Sequence, residues 1–441
     1  MLMTMGVFQL LFLEGAFSYA YDTWTGPTYL SGLAGEFGVG VGLLSLITVV
    51  PWIGAVGQFA TLGAYHRSAS VRRYVVGSAA FARVLWLIPL CLGWYWGLQS
   101  ALGHEVFPAK KWFLVSAIVG LVSQLIGSAS GAAWMAWIRE LVAPRVRGRF
   151  FGVRQRYTMV AVIVVHFLGI LWAGWRPGGY PAGYGILLGC ACLSAALSTW
   201  LLAKVPDVQS IRAENEVAPS TRMIDLIREP FRDEMFRNLV LFNAAFQFSI
   251  QIAGPYFPYF FTKELGFSMG TVAFWLMLGN IGWFVAALFW GRRIDRVDGW
   301  RSAFLASATL ISISPMFYVF TGAGSVRVFA PFEYFSNGMF SAGYLLVYMK
   351  LQLERSPQGK SAGPFAVASA AAALSSGIGN LAGAQLAIWL QPWGGFRALF
   401  LIATVLRLAT VWGLGYLLLG KQYRVVREIG VIARRIVHGE V

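Results

Sequence analysis

The sequence predicts an all-α integral membrane protein, with twelve transmembrane helices in two related six-helix bundles. Three observations carry that prediction. The 441 residues are 57% hydrophobic and only 12% charged, whereas soluble domains carry about a quarter charged residues. The apolar residues fall into runs of the length a bilayer requires, about 20 residues each, with the charges gathered between them. The second half of the chain also repeats the first. A soluble core of this size could not hide so much apolar surface, and a mean hydropathy of +0.63 fits lipid instead.

Apolar runs punctuated by charge, Gly and Pro set the spans. Span 1 covers residues 7–33, span 2 40–63, span 3 73–97, span 4 111–138, span 5 157–175 and span 6 183–204. Span 7 covers 236–262, span 8 269–290, span 9 301–321, span 10 328–350, span 11 363–390 and span 12 396–419. The chain therefore divides into an N-terminal bundle (1–204), a hydrophilic linker (205–235), a C-terminal bundle (236–419) and a basic tail (420–441). The grouped Met223, Ile224, Leu226 and Ile227 would let part of the linker lie on the membrane surface as a helix.

The net charge of +16 is distributed by topology. Of the 35 Lys and Arg residues, 27 lie in the loops after spans 2, 4, 6, 8 and 10 and in the tail. Six lie in the opposite loops, and Arg83 and Arg407 lie inside spans. The positive-inside rule then puts both termini and the linker in the cytoplasm, across a cytoplasmic or inner membrane. Charge placed this way forms no basic face on a soluble domain, so nucleic acid is not an expected partner. The lipid bilayer and a small-molecule substrate are, and the chain is expected to work as a monomer.

No Lys or Arg precedes the first apolar run, and Glu14 interrupts it. No cleaved signal is expected. Cys91, Cys190 and Cys192 lie in apolar runs without metal or disulfide spacing. They read as small hydrophobes, and no metal or cofactor is expected.

Shifting the sequence by 228 positions aligns the halves without gaps. Phe8 falls on Phe236, Gly26-Pro27 on Gly254-Pro255, Glu36 on Glu264, Gly38 on Gly266 and Gly42 on Gly270. Ile53-Gly54 falls on Ile281-Gly282, Gly63 on Gly291 and Arg73 on Arg301. Most shared positions are Gly, Pro or charged, the residues that control backbone shape and helix ends. Internal repeats of this kind mark transporter folds, with the site between the halves.

After span 8 the chain reads Gly291-Arg292-Arg293-Ile294-Asp295-Arg296-Val297-Asp298-Gly299-Trp300-Arg301. This resembles the G-x-x-x-D-R-x-G-R loop of the major facilitator superfamily, with one extra residue before the second glycine. The first-half counterpart, from Gly63 through Arg67 to Arg72-Arg73, keeps the glycine and the basic end but lacks the acid. After span 4, Pro144-Arg145-Val146-Arg147-Gly148 resembles the same family's P-x-x-R-G segment, with a weaker partner at Pro357–Lys360. The resemblance implies the family's fold, a secondary transporter working by alternating access, and a conformational latch made by Gly291, Asp295, Arg296, Arg301, Arg147 and Gly148. It also implies that spans 1, 4, 7 and 10 line the central cavity while spans 3 and 12 are peripheral.

Ionisable side chains at mid-membrane are costly and mark function or pairing. Ten residues at about 1.5 Å rise reach about 15 Å, near mid-bilayer. Arg83, His166, Gln247 and Arg407 each lie ten residues from a boundary arginine. Asp22, in the polar stretch from Tyr19 to Thr25, is the first candidate for proton coupling, and a structural pair with Arg83 is the alternative. Glu333, followed by Tyr334, Ser336 and Asn337, is the second; it lies near the outer end, where a solvated or interfacial carboxylate is the alternative, and Arg407 is its candidate partner. His166 is a third titratable candidate, or a hydrogen-bonded core residue. Glu14 is expected to snorkel at the boundary.

Asn243, Gln247 and Gln251 are spaced by four and share a helix face. Gln124 and Ser128 form a shorter stripe. Either set lines a cavity or bonds across helices. Gly26-Pro27 and Gly254-Pro255 are expected to bend spans 1 and 7 near their outer ends, as an outer gate. Gly127/Gly131 and Gly379/Gly383 are expected to form close-packing faces.

No Walker loop, zinc-protease motif, nucleophile elbow or Cys/His cluster is present. A transporter of a small organic solute, with proton coupling left open, is therefore the expected function. A membrane enzyme on lipid-linked substrates and a non-transporting receptor or helper are the rivals. The aromatic and amide content leans toward a neutral solute.

Overall fold

The computed structural model describes residues 2–46, 48–49, 52, 54, 70–104, 108–142, 147–174, 180–207, 230–294, 299–355 and 362–419. The latch residues Asp295 and Arg296, the Pro144 and Pro357 ends of the loop motifs, most of the linker and the tail lie outside them.

Among the described residues the spans are α-helical, and several of their ends follow from local chemistry. Span 3 begins at Val71, where the Ser70 hydroxyl accepts from Arg73 N. Span 7 begins at Glu234, where the Asp233 carboxylate accepts from Phe236 N at 2.7 Å. A capping side chain of this type satisfies one of the donors left free in a helix's first turn. Span 5 departs from the sequence boundary. It runs Arg147–Gly174 rather than starting at 157. The arginines that mark residues 147–156 as a loop are the first turns of the helix, so Arg154 is a helical residue.

Spans 1 and 7 break where the repeat places Gly-Pro. Span 1 is a helix over Leu2–Thr25, an extended Gly26, and a second helix over Pro27–Glu36. Proline suits a first helical position because its missing N–H would be unsatisfied there. Span 7 is a helix over Glu234–Gln251, then a 3-10 turn at Gly254–Tyr256, a helical turn at Phe257–Tyr259 and a π turn at Phe260–Glu264. The repeat continues into the turns that follow. Gly38 and Gly266, equivalent under the 228-residue shift, both hold positive φ, at 65° and 71°. That region costs a residue with a Cβ and costs glycine little.

Span 9 also breaks. Its helix ends at Ile313, and a 3-10 stretch with Pro315 covers Ser314–Tyr318. Span 10 is one long helix, Ala323–Arg355, with Pro331 inside it. By length and composition seven helical stretches among the described residues can cross a membrane, in spans 3, 4, 5, 6, 8, 11 and 12. Spans 1, 7, 9 and 10 are outside that set because they are interrupted or carry polar side chains.

The C-terminal bundle is packed backbone to backbone. A methyl group added at Gly338 would strike the Gly279 carbonyl, and one at Gly282 the Phe335 carbonyl, joining spans 8 and 10. Gly379 and Gly383 lie against the Phe248 and Ile252 carbonyls of span 7. The N-terminal pair is looser. Among the described residues, a methyl at Gly127 would reach Ala82 Cβ at an ordinary 3.8 Å, and one at Gly131 would meet nothing within 4 Å. Among the described residues the expected close-packing face is present in the second half and not in the first.

The halves share one core and keep others apart. The shared core joins Tyr29, Leu33 and Trp112 of the first half to Tyr256, Phe260, Phe261 and Phe400 of the second. The other clusters each belong to one half, one around Trp137 and Phe150 and two around Phe242 and Trp290 and around Phe236 and Val367. The shared core lies at the end opposite the basic loops. Tyr259 Oη there donates to the Val39 carbonyl at 3.1 Å, and Thr262 Oγ1 lies 3.1 Å from the Gly32 carbonyl as a donor.

Candidate functional site

Between the halves lies a cavity of about 480 Å³, within the range that holds small organic ligands. The first half lends it Pro27, Thr28, Thr48 and Trp52. Span 7 contributes Gln247, Gln251 and Phe257, span 9 Ser314 and Tyr318, span 10 Glu333, Tyr334, Asn337 and Tyr344, and span 12 Arg407. Spans 1, 7, 9 and 10, the less apolar ones, all reach it. Their polar side chains face a cavity, and lipid need not accept them.

Glu333 is the most enclosed acid there, 5% exposed. Its Oε2 accepts from Tyr318 Oη at 2.5 Å, and its Oε1 accepts from Ser314 Oγ and from Asn337 Nδ2 at 3.3 Å. Asn337 Nδ2 also donates to Ser314 Oγ at 2.7 Å, and Ser341 Oγ donates to Asn337 Oδ1 at 3.2 Å. One helix face supplies Glu333, Asn337 and Ser341, four residues apart. The break in span 9 supplies Ser314 and Tyr318. Sequence reading finds Glu333 and Asn337 but misses these two donors. Pro315 was the available signal that this part of the span turns its polar groups inward.

Arg407 is not ion-paired with Glu333, which corrects the expected pair. Its Nε donates to the Ser249 carbonyl at 3.3 Å, Nη1 to Ile311 at 3.3 Å and Nη2 to Ile250 at 3.0 Å. These carbonyls are orphans of broken helices. Ser249 and Ile250 end the first helix of span 7, where the last carbonyls lack intrahelical partners. Ile311 lies four residues before Pro315, whose nitrogen carries no proton to return. Span 12 was expected to be peripheral, yet it delivers Arg407 to the cavity.

Gln247 and Gln251 line the cavity, and neither amide bonds to another described residue. Asn243, one turn earlier, is 2% exposed and accepts from Tyr344 Oη at 2.9 Å. The stripe thus divides into a helix–helix contact and two cavity amides. A further network crosses the halves. Tyr256 Oη lies 2.7 Å from the Asn380 carbonyl and 2.9 Å from Asn380 Oδ1, which also accepts from Thr48 Oγ1 at 2.9 Å. Sequence reading missed it, because Asn380 sits in an alanine- and glycine-rich span where only Ser376, one turn earlier, shares its face.

The first-half candidates are placed differently. Asp22 is exposed, lies outside the cavity lining and forms no ion pair with Arg83. Arg83 Nη1 donates to Thr199 Oγ1 at 2.7 Å and Nη2 to Ser18 Oγ at 3.0 Å. Its charge lies 5.8 Å from the Tyr21 ring centre. The ion pair among the described residues is instead Arg154–Glu14, at 3.2 Å. Glu14 is 4% exposed and accepts from Ser198 Oγ at 3.2 Å, so it does not snorkel. His166 Nδ1 hydrogen-bonds Tyr29 Oη at 3.0 Å, with the rings stacked. It is a satisfied core histidine away from the cavity. Gln124 is exposed and its side chain packs against Gly54 of span 2.

Of the latch residues, Gly291 sits in the last turns of span 8, where an added methyl would touch no described residue within 4 Å. Arg301 lies near the Trp300 ring. Arg147 and Gly148 begin the span 5 helix, so that segment is helix and not loop.

The sequence matches the Major Facilitator Superfamily over residues 11–343. The chain belongs to the major facilitator superfamily. It is a multi-pass membrane protein and a secondary transporter of the alternating-access class, not an enzyme. Solved structures agree in fold. The nucleoside transporter NupG (D323A mutant) superposes with a TM-score of 0.69 at 11% identity, covering 93% of this chain and 99% of that one. A D-xylose-proton symporter gives 0.68 at 16%, covering 94% and 97%. An inward-facing bacterial homologue of the iron transporter ferroportin gives 0.65 at 16%, covering 94% and 98%. No curated protein sequence matches this superfamily member.

Proposed function

We propose that this transporter carries a small organic solute in the cavity between its halves, coupled to protons through Glu333. The observation that carries the reading is the cavity itself: about 480 Å³, bounded by both halves, with a buried carboxylate on its wall. Three donors from spans 9 and 10 hold that carboxylate. Hydrogen bonds from neutral donors favour the charged form, so protonation must rearrange them. Two of the donors come from the broken end of span 9. A proton can thus change how that break is seated. Similar folds include a D-xylose-proton symporter, which makes proton coupling a reasonable mode for this one.

The basic loops orient the chain with both termini in the cytoplasm of a cytoplasmic or inner membrane. The shared core then closes the outer end, and the conformation is inward-facing. The bends at Gly26 and Gly254–Tyr256 form the outer gate, whose contacts Tyr259–Val39 and Thr262–Gly32 must part in the outward-facing state. Residues 1–204 and 236–419 are the moving bundles, 205–235 joins them and 420–441 is a cytoplasmic tail. The protein works as a monomer.

Thermal stabilisation of the purified protein across a chemically broad solute library identifies the substrate, because a ligand of the native state raises stability by mass action. The hit is then assayed in proteoliposomes. Glu333→Gln is expected to abolish accumulation driven by a pH gradient while retaining solute exchange, and Asp22→Asn is expected to retain both. Undiminished accumulation in Glu333→Gln would sink the coupling role.

A further inference from the structure

We infer that Arg407 forms an anion subsite in the cavity, so that the transported solute carries a planar oxyanion such as a carboxylate. The inference rests on the proposed transport site and names the substrate class that fits it. A guanidinium has five N–H donors in a fixed fork. Three are committed to the Ser249, Ile250 and Ile311 carbonyls. One N–H on each Nη remains, and Arg407 lines the cavity. No carboxylate of a described residue lies within ion-pair distance of Arg407. Its carbonyl partners fix its position but do not neutralise its charge. An oxyanion is the ligand that completes such a fork.

Glu333 does not compete for a cationic ligand. Three donors already occupy its oxygens, out of roughly four lone-pair sites. The cavity thus offers an incomplete cation site for an anion and a nearly saturated carboxylate. The free amides of Gln247 and Gln251 and the rings of Trp52 and Phe257 suit the solute's uncharged body. The sequence lean toward a neutral solute rested on aromatic and amide content alone, and the unpaired Arg407 shifts that lean toward an anion.

The two charges still feel each other. Glu333 is faced by Ser314 and Tyr318 from span 9, Tyr334 and Asn337 from its own span, and Arg407 from span 12, the one charged group acting on it among the described residues. Protonating Glu333 removes a negative charge beside the subsite and strengthens anion binding. By linkage, the bound anion favours the proton equally. Anion and proton then load together, and the cavity gains no net charge.

The test uses the full chain in detergent. Its thermal unfolding is titrated with lactate and benzoate and with the neutral lactamide and benzamide, at pH 8 and pH 6, where the acids stay ionised. The acids are expected to stabilise and the neutral forms not to, with apparent affinity at least about fivefold tighter at pH 6. Glu333→Gln should bind at the tight limit at both pH values. Arg407→Lys, which keeps the charge but loses the fork, should lose the stabilisation. If that variant does not fold, the pH response and its loss in Glu333→Gln still decide. Equal stabilisation by the neutral forms, no stabilisation by any acid, or a pH response that survives Glu333→Gln overturns the subsite. A neutral solute accumulated on a proton gradient would overturn it and leave proton-coupled transport standing. Acid binding without gradient-driven accumulation would keep the subsite and remove the coupling.

Discussion

The two halves of this transporter repeat one another in backbone and differ in what their buried polar groups do. In the first half Glu14, Arg83 and His166 are held by neighbours within that half. Glu14 is held by Arg154 and Ser198, Arg83 by Ser18 and Thr199, and His166 by Tyr29. They tie spans 1, 3, 5 and 6 into one body. In the second half the polar groups line the cavity, where Gln247, Gln251, Glu333 and Arg407 gather. The difference teaches that a polar residue at mid-membrane depth is not by itself a functional one. Helices break in both halves, at Gly26 in span 1 and between Val84 and Leu87 in span 3 as well as in spans 7 and 9, so what separates the halves is what the breaks meet. Spans 7 and 9 are broken beside the cavity, and the breaks release carbonyls and hydroxyls that draw Arg407 and Glu333 toward it.

The largest expected effect follows from those breaks. Arg407→Met leaves three buried carbonyls without a donor, each costing about 1–3 kcal/mol. A loss of at least about 3 kcal/mol in unfolding free energy is expected, measured by unfolding in detergent. A loss below about 1 kcal/mol would mean that the broken ends are held by something else. Glu14→Ala strips Arg154 of its acid, and removing one partner of a buried ion pair costs about 3–5 kcal/mol. Arg154 keeps the Trp134 ring, 4.5 Å from its charge, so the lower end of that range is expected. The contrast lies in binding. Glu14→Ala should leave ligand affinity and its pH dependence unchanged in the fraction that folds, and a shift in either would place the first-half network in the transport site.

Glycine packing sharpens the comparison at a smaller scale. Gly383→Ala drives a methyl into the Ile252 carbonyl, and overpacking of this kind costs about 1–3 kcal/mol. Gly127→Ala adds a methyl at ordinary contact distance, and removing a mid-helix glycine gains about 0.5–1 kcal/mol. Opposite signs are expected in the unfolding midpoints of the two variants. Equal effects would mean that the halves are packed alike.

Much of the fold was legible because its controls are local. Gly26-Pro27 and Gly254-Pro255 break spans 1 and 7 where the repeat puts them, and Gly38 and Gly266 take the same positive φ. The site was legible only in part. Glu333, Asn337, Gln247 and Gln251 stand out as polar residues in apolar runs, and they do line the cavity. What failed was pairing. Similar depth suggested Asp22–Arg83 and opposite charge suggested Glu333–Arg407, but neither fixes where a side chain points. The direction of each side chain around its helix, and the backbone groups freed by a break, decide the partner. Glu14–Arg154 was missed for a different reason: three arginines at 149, 154 and 156 look like a loop, and only a helix reaching back to Arg147 brings Arg154 beside Glu14.

The smallest effect tests the histidine. Tyr29→Phe removes one buried hydrogen bond, worth about 1 kcal/mol, and keeps the ring stack on His166. The unfolding midpoint should fall slightly. The pH dependence of ligand binding should not move, because His166 stacks on Tyr29 of the shared core and its ring is not part of the cavity lining. The bond also crosses no boundary between the halves, since Tyr29 and His166 both belong to the first. A changed pH profile in Tyr29→Phe would join His166 to the proton path, and the division between a structural first half and a cavity-forming second half would then fail at its shared core.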